Sequence, residues 1–389
     1  MASRFTPLSG SSRTGSPGLL PGAPPRTAAD PDLPGFAPLG DRAGPWVTGY
    51  LAAGYLASGY LASGKRSVPL VSTRLALRDR LGNLGVRLGA RRNRHRVAAG
   101  LYALGRADPA SPVLVTSNYK LTFDSLRKEL SGIDAWILVL DTRGVNVWCA
   151  AGKGSFGTAE LISKVSGTRL GDVVEHRELI LPQLGAPGVA AREVRLRTGF
   201  RVLWGPVLAA DIRAYLAAGK RKTPRMSVVR FALRDRLVLA PIELVHSWPV
   251  ALAALALGLL AGAPWGPGWM DRALASTVFL EVALLLATLG FPALLFVLPF
   301  RGFAPKGAVL GAAWGCVASL SLGLPLGLGA GLTLISIAGT AWIGLNFTGS
   351  TTFTSPTGAL LEVERSLWPC IATLALGLGL SVLSRITGF

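Results

Sequence analysis

With 389 residues the chain is long enough for two domains, and a mean hydropathy of +0.45 with 50% hydrophobic residues excludes an ordinary, wholly soluble enzyme. The formal net charge of +19 is unevenly spread: residues 1–247 hold 35 Lys and Arg against 17 Asp and Glu, and residues 248–389 hold 5 against 4. Three cysteines, Cys149, Cys316 and Cys370, give neither a disulfide framework nor a CxxC pair, and they are too few for an iron–sulfur cluster of the chain's own.

Residues 1–45 are rich in Pro, Gly, Ser and Ala without periodicity and read as disordered. No apolar core follows the first positive residues, so no ordinary signal peptide is expected and the basic half is expected to stay in the cytoplasm. Residues 49–64 repeat Gly-Tyr-Leu-Ala three times, a period too short for a solenoid. Residues 65–96 carry ten Lys or Arg against one acid, Asp79, and read as a solvated or membrane-facing surface. Nucleic-acid binding is disfavoured because no reader motif accompanies the charge; docking to an acidic protein stays open. The stretch LALRDRL at residues 75–81 returns as FALRDRL at residues 231–237, an old duplication or one membrane-facing job done twice.

From residue 111 the pattern alternates. Residues 113–116, 135–140, 179–181 and 200–204 read as strands, and residues 121–130, 158–165, 189–196 and 211–218 as helices. Such alternation predicts an α/β fold, a Rossmann-like parallel sheet, within a domain spanning residues 46–237. Ligands of such sheets sit at the strands' carboxyl ends. At that end of the 135–140 run stands Asn146-Val147-Trp148-Cys149-Ala150-Ala151-Gly152-Lys153, after the turn Asp141-Thr142-Arg143-Gly144. It holds the one cysteine of residues 1–247.

This octapeptide closely resembles the cap-helix signature of the corrinoid proteins that methylate mercury, the HgcA family. The resemblance runs from about residue 71 to 235 and returns near residues 346–362. It implies a cobalamin-type corrinoid cofactor with Cys149 as the lower axial ligand to cobalt. It also implies a role in methyl transfer to Hg(II), a methyl donor protein or methyltetrahydrofolate upstream, and re-reduction by a partner ferredoxin carrying two 4Fe–4S clusters. The soluble part is also similar to the corrinoid domain of the corrinoid iron–sulfur protein large subunit of the acetyl-CoA pathway. Candidate cofactor contacts are Thr73, Thr116, Ser117, Asn118, Asn146, Val147, Trp148, Cys149, Ala150, Gly152, Lys153, Gly154, Gly185 and Gly188. The loops at 116–118 and 185–188 carry small residues where a broad macrocycle needs close backbone approach. A thiolate needs a positive setting, for which Lys153 and the helix amides are candidates. Asn146 is expected to orient the cap, and Trp148 to shield the ligand from water.

Residues 220–236 are basic and juxtamembrane in character. Beyond them a transmembrane domain, residues 238–389, is expected to hold five spans: 248–264, 273–300, 307–322, 326–345 and 367–383. Trp248, Trp265, Trp269, Trp342 and Trp368 fall near span ends, and Arg301 and Lys306 mark the second loop as cytoplasmic, which places the C-terminus outside. Cys316 and Cys370 read as apolar fillers, Glu281 as a mid-span carboxylate, and residues 346–355 as an uncharged, hydroxyl-rich cytoplasmic loop able to cap the corrin's upper face. A corrinoid methyl carrier of one-carbon metabolism with another acceptor, and a transporter or membrane scaffold with a regulatory α/β domain, remain the competing readings. The spans lack the paired charges and broken helices of ion sites, which weighs against the transporter.

Overall fold

A computed structural model describes residues 46–53, 66–89, 94–262, 268–348 and 356–387. The segment expected to be disordered, the later copies of the tandem repeat and residues 349–355 of the cytoplasmic loop lie outside the described residues.

Among the described residues one sheet holds β1 (Val47–Ala53), β2 (Arg66–Val71), β3 (Gly100–Leu104), β4 (Val113–Ser117), β5 (Ala135–Leu140), β6 (Glu178–Leu181) and β7 (Arg201–Trp204), in the order β1-β2-β3-β5-β4-β6-β7. Strands β4 to β7 are mutually parallel where they pair, with β4 between β5 and β6. The other edge departs from the expected parallel sheet. β3 runs antiparallel to β5, β2 parallel to β3, and β1 antiparallel to β2, so the sheet is mixed. The cause is β5. All six of its residues are buried, so the backbone groups on both its sides need partners, and the short apolar run of β3 supplies them on the side away from β4.

Helices cover both faces: α1 (Leu77–Arg87), α2 (Lys120–Glu129), α3 (Val147–Gly152), α4 (Thr158–Gly167), α5 (Ala191–Thr198) and α6 (Ile212–Ala217). Strand residues point alternately to the two sides. Val113, Val115, Leu138 and Leu140 pack with Leu161 and Val165 of α4 and Val194 of α5. Leu114, Ile137 and Val139 pack with Phe123 and Leu126 of α2 and Ile212 and Tyr215 of α6. Burying each such aliphatic side chain stabilises the fold by roughly 1.5–3 kcal/mol. Asp211, expected inside the last helix, is instead its N-terminal boundary residue.

A buried ion cluster fixes α1 to α2. Lys120 Nζ contacts Asp79 Oδ1 at 2.8 Å and Asp124 Oδ2 at 2.6 Å; Arg127 contacts Asp79 Oδ2 at 2.8 Å and Asp124 Oδ1 at 2.7 Å. Arg127 Nη1 also donates to the carbonyls of Ser72 and Arg74 at 2.6 and 3.0 Å, so few donors are left unmatched.

The chain then enters α7 (Leu233–Leu237), α8 (Ala240–His246), α9 (Trp248–Gly262), α10 (Trp269–Leu285), α11 (Phe291–Leu294), α12 (Phe303–Ser321), α13 (Leu326–Thr348) and α14 (Pro356–Thr387). Among the described residues, four stretches are long and apolar enough to cross a membrane: Trp269–Leu294, Phe303–Ser321, Leu326–Thr348 and Gly358–Thr387. Leu233–His246 and Trp248–Ala261 form a pair bent by 59°, which makes a fifth if taken as one span. The second expected span is shorter than read from sequence: its helix ends at Leu294 after a π-helical turn at Leu286–Gly290. The last helix starts about ten residues earlier than expected and carries Glu362, Glu364 and Arg365 in its first turns. Its 32 residues rise to ~48 Å, more than the ~30 Å apolar layer, so a charged overhang is accommodated.

Small residues bring α12 and α13 close. A Cβ on Gly311 would lie 2.8 Å from Ile337 Cα, and Thr340 Oγ1 donates across the pair to the Gly307 carbonyl at 2.7 Å. Phe291, Phe303 and Phe347 cluster with Phe231 of the link to the sheet half. The end of α11, the start of α12 and the end of α13 therefore lie on the sheet's side, and α14 departs from it. Cys316 is exposed on α12, and Cys370 borders an apolar cavity of about 490 Å³ between α9, α10, α13 and α14.

Candidate functional site

The switch in chain direction falls at β4: the chain passes from β4 to β5 on one side and then to β6 on the other. Ligand crevices form at the carboxyl ends of strands at such a point. Here α3 follows β5 and packs on the 3-10 turn Gln183–Gly188 that follows β6, so it lies across the end of β4. Its buried face, Val147, Ala150 and Ala151, joins the core above the sheet. Cys149 faces out and is exposed.

Three sets of contacts hold α3 in place. Asn146 is its N-cap: the side-chain oxygen accepts the Cys149 N–H at 2.9 Å, fixing the backbone that carries the thiol. Asn118 ties the preceding turn. Its Oδ1 accepts from Thr142 N at 3.1 Å and Gly144 N at 3.0 Å and lies 2.9 Å from Thr142 Oγ1, and its Nδ2 donates to Asp141 Oδ1 at 2.8 Å. Asp141 N in turn donates to Glu160 Oε1 of α4 at 2.7 Å. Arg143 takes a left-handed conformation, φ 57°, to make the turn. Third, Gly185 and Gly188 let the 183–188 turn close on α3. A Cβ on Gly188 would lie 3.0 Å from Ala151 Cα, and one on Gly185 would lie 2.6 Å from Phe156 Cε1.

These positions revise several expected contacts. Thr73 does not join the site. β2 ends beside Leu104, which pairs with Ala135 at the start of β5, so Thr73 sits at the opposite end of the sheet, about 17 Å away along β5. Thr116, Ser117 and Asn118 are buried beneath the cap and not at an open rim. Asn118 spends its amide on the turn, whereas Ser117 Oγ is buried without a partner. Gly185 and Gly188 serve the close approach of turn to cap helix, and Val147 and Ala150 serve the core. Asn146, Trp148, Cys149, Gly152, Lys153 and Gly154 remain together on the cap itself. Sequence reasoning passed over Thr142, Gly144 and Asp141 as parts of the site, although the Asp-Thr-Arg-Gly turn signal marked them. Lys222 was also passed over: it donates to Gln183 at the foot of the supporting turn, and burial pushes its pKa down.

The outer surface of the cap is bare. Cys149, Gly152, Lys153 and Gly154 are exposed, and a Cβ on Gly152 or Gly154 would meet nothing within 4 Å. A soft sulfur donor on a rigid turn, surrounded by a side-chain-poor platform, fits a broad planar group with a transition metal at its centre, and so fits a corrinoid.

The family of CO dehydrogenase/acetyl-CoA synthase delta subunits matches residues 90–216, from just before β3 to α6. The acetyl-CoA decarbonylase/synthase complex subunit gamma of Methanopyrus kandleri is 37% identical over 123 residues, covering 31% of this chain and 26% of that protein. The subunit of the same name from Archaeoglobus fulgidus is 34% identical over 122 residues, again 31% and 26%. The corrinoid/iron–sulfur protein large subunit of Moorella thermoacetica is 31% identical over 125 residues, covering 32% of this chain and 28% of that protein. The chain thus spans about a quarter of the length of these relatives, and α1 and the apolar helices fall outside the region matched to the family. The sheet half thus resembles part of acetyl-CoA decarbonylase/synthase gamma subunits and of a corrinoid/iron–sulfur protein large subunit, and among the described residues it is followed by four, or up to five, apolar helical stretches long enough to cross a membrane.

Proposed function

We propose that residues 46–237 form a corrinoid-binding domain, that residues 238–389 form its membrane domain, and that the protein transfers a methyl group from the corrinoid to inorganic Hg(II). The observation that carries this reading is the exposed Cys149 on a cap helix fixed by Asn146 at the sheet's switch point. Cys149 would hold a bound corrinoid through its sulfur; the group would supply cobalt-based methyl-transfer chemistry, and a soft thiolate donor would favour giving the methyl group to a soft electrophile. The chain's own part is to hold the sulfur: Asn146 fixes its backbone, Asn118 and Thr142 fix the turn, and half-buried Trp148 keeps water from one flank. With three cysteines in the chain, electrons are supplied by a ferredoxin partner bearing two 4Fe–4S clusters, and the methyl group by a donor protein or methyltetrahydrofolate. The basic sheet half lies on the cytoplasmic side.

A second reading is favoured by the similarity to acetyl-CoA pathway subunits: a methyl carrier whose acceptor is not mercury. Anaerobic assay of the full chain with isotopically labelled Hg(II), with and without the reduced ferredoxin, separates the two. Labelled methylmercury that depends on the ferredoxin and on Cys149, but not on Cys316 or Cys370, supports the first reading. A corrinoid that is loaded with methyl yet gives none to Hg(II) removes mercury as acceptor and leaves the second.

A further inference from the structure

Helix α1 is packed inside out. Its inward face is mostly polar, with Val86 the one apolar residue it buries: Asp79 meets Lys120 and Arg127, and Asn83 Nδ2 donates to Asp124 at 2.9 Å. Its outward face is a leucine stripe at helical spacing, Leu77, Leu81, Leu84 and Leu88, with Leu77 71% and Leu81 59% exposed. Arg78 and Arg80 are exposed beside the stripe, and Asp79, the one acid of residues 65–96, is turned inward.

Its duplicate lies next to it. α7 has the same LRDRL sequence and the same start, with Asp235 accepting the Ala232 N–H at 3.0 Å as Asp79 accepts that of Ala76 at 3.1 Å. Between them runs an apolar groove of about 680 Å³, lined by Leu84, Leu88, Leu233 and Leu237 and flanked by Arg87 and Arg234. Arg236 anchors α7 to the apolar helices by donating to the Pro292 and Ala293 carbonyls at 2.7 and 3.0 Å. The α7–α8 segment then bends by 59° into α9, the first of the apolar helices. The end of α1 is held at that bend: a Cβ on Gly89 would lie 2.7 Å from His246 Nε2, two residues before Trp248. The leucine stripe therefore sits where the chain turns from running along a surface to crossing it.

We propose that α1 and α7 lie in the plane of the membrane and dip their leucines into the anionic leaflet from which α9 departs, with the flanking arginines on lipid phosphates, so that the leaflet holds the sheet half. Helices with an apolar face and arginine flanks take this position. The proposal rests on the apolar helices being spans, and stands whether or not a corrinoid binds.

The test uses the full chain with Cys149, Cys316 and Cys370 changed to Ser, and Leu81→Cys carrying an environment-sensitive fluorophore. It is reconstituted in phosphatidylcholine vesicles with or without phosphatidylglycerol, with spin-labelled lipids as quenchers. The expected result is blue-shifted emission, quenched more by shallow than by deep spin labels and more strongly when phosphatidylglycerol is present; Leu77→Cys behaves alike, and exposed Arg192→Cys stays water-like and unquenched. Water-like emission at both leucine positions overturns the proposal. So does shielding without lipid quenching, which would assign the stripe to a protein partner or a second copy. Equal quenching without phosphatidylglycerol overturns the anionic assignment.

Discussion

Asn146 Oδ1 accepts the backbone N–H of Cys149 at 2.9 Å, so the residue that starts the cap helix also sets where the exposed thiol stands. Asn146→Ala removes the cap at a cost of about 1 kcal/mol. The expected outcome is a folded sheet half with reduced corrinoid retention, read from corrin absorbance per chain, and Asn146→Asp or Asn146→Ser should restore most of it. Equal retention in Asn146→Ala would show that the cap does not position the site.

Two glycines separate support from platform. Gly188→Ala drives a methyl group onto Ala151 and the Phe156 carbonyl, so α3 must shift; overpacking of this kind costs about 1–3 kcal/mol. Gly152→Ala points into open space on a helix, where Ala is favoured over Gly by roughly 0.5–1 kcal/mol. Thermal unfolding of the sheet half should therefore fall for Gly188→Ala and hold or rise for Gly152→Ala. Corrinoid retention should fall in both, because the second methyl group rises from the platform itself.

The central strand and the cap were legible because β5 is an unbroken apolar run followed by turn residues and an atypical Trp-Cys pair. Strands β1 to β3 were not: β1 falls in the Gly-Tyr-Leu-Ala repeat, β2 and β3 are flanked by basic residues, and β3 joins antiparallel, a pairing no local pattern announces. That insertion also carries Thr73 to the far end of the sheet. Asn118 was found as a polar residue at a strand end, but sequence does not say whether such an amide faces a ligand or ties a turn. The three groups converging on its oxygen decide it. The stretch holding α1 was read as a solvated or membrane-facing surface, but not as a helix; the buried partners of Asp79 show which side is in.

Asp79 gives the fold an acid-sensitive point. Burial by itself raises its pKa, but hydrogen bonds and charges from Lys120 and Arg127 outweigh this and hold the carboxyl below its ordinary value. A carboxyl lowered in the folded state adds stability above its unfolded pKa of about 3.9, and that stability is lost as pH falls through the folded value. Protection of the α2 amides, taken relative to their intrinsic exchange rate at each pH, should fall on acidification below about pH 4. Asp79→Asn, which leaves buried cations short of a partner, should lose about 3–5 kcal/mol of protection near neutrality and show a flatter acid response.

The most direct measurement is the cobalt environment of the full-length protein loaded anaerobically with corrinoid, by X-ray absorption, in the unaltered chain and in Cys149→Ala. The expected result is a sulfur donor at cobalt in the unaltered chain that disappears in Cys149→Ala and persists when Cys316 and Cys370 are replaced. Corrinoid bound without a sulfur donor, or a sulfur donor that survives Cys149→Ala, would contradict the assignment of Cys149.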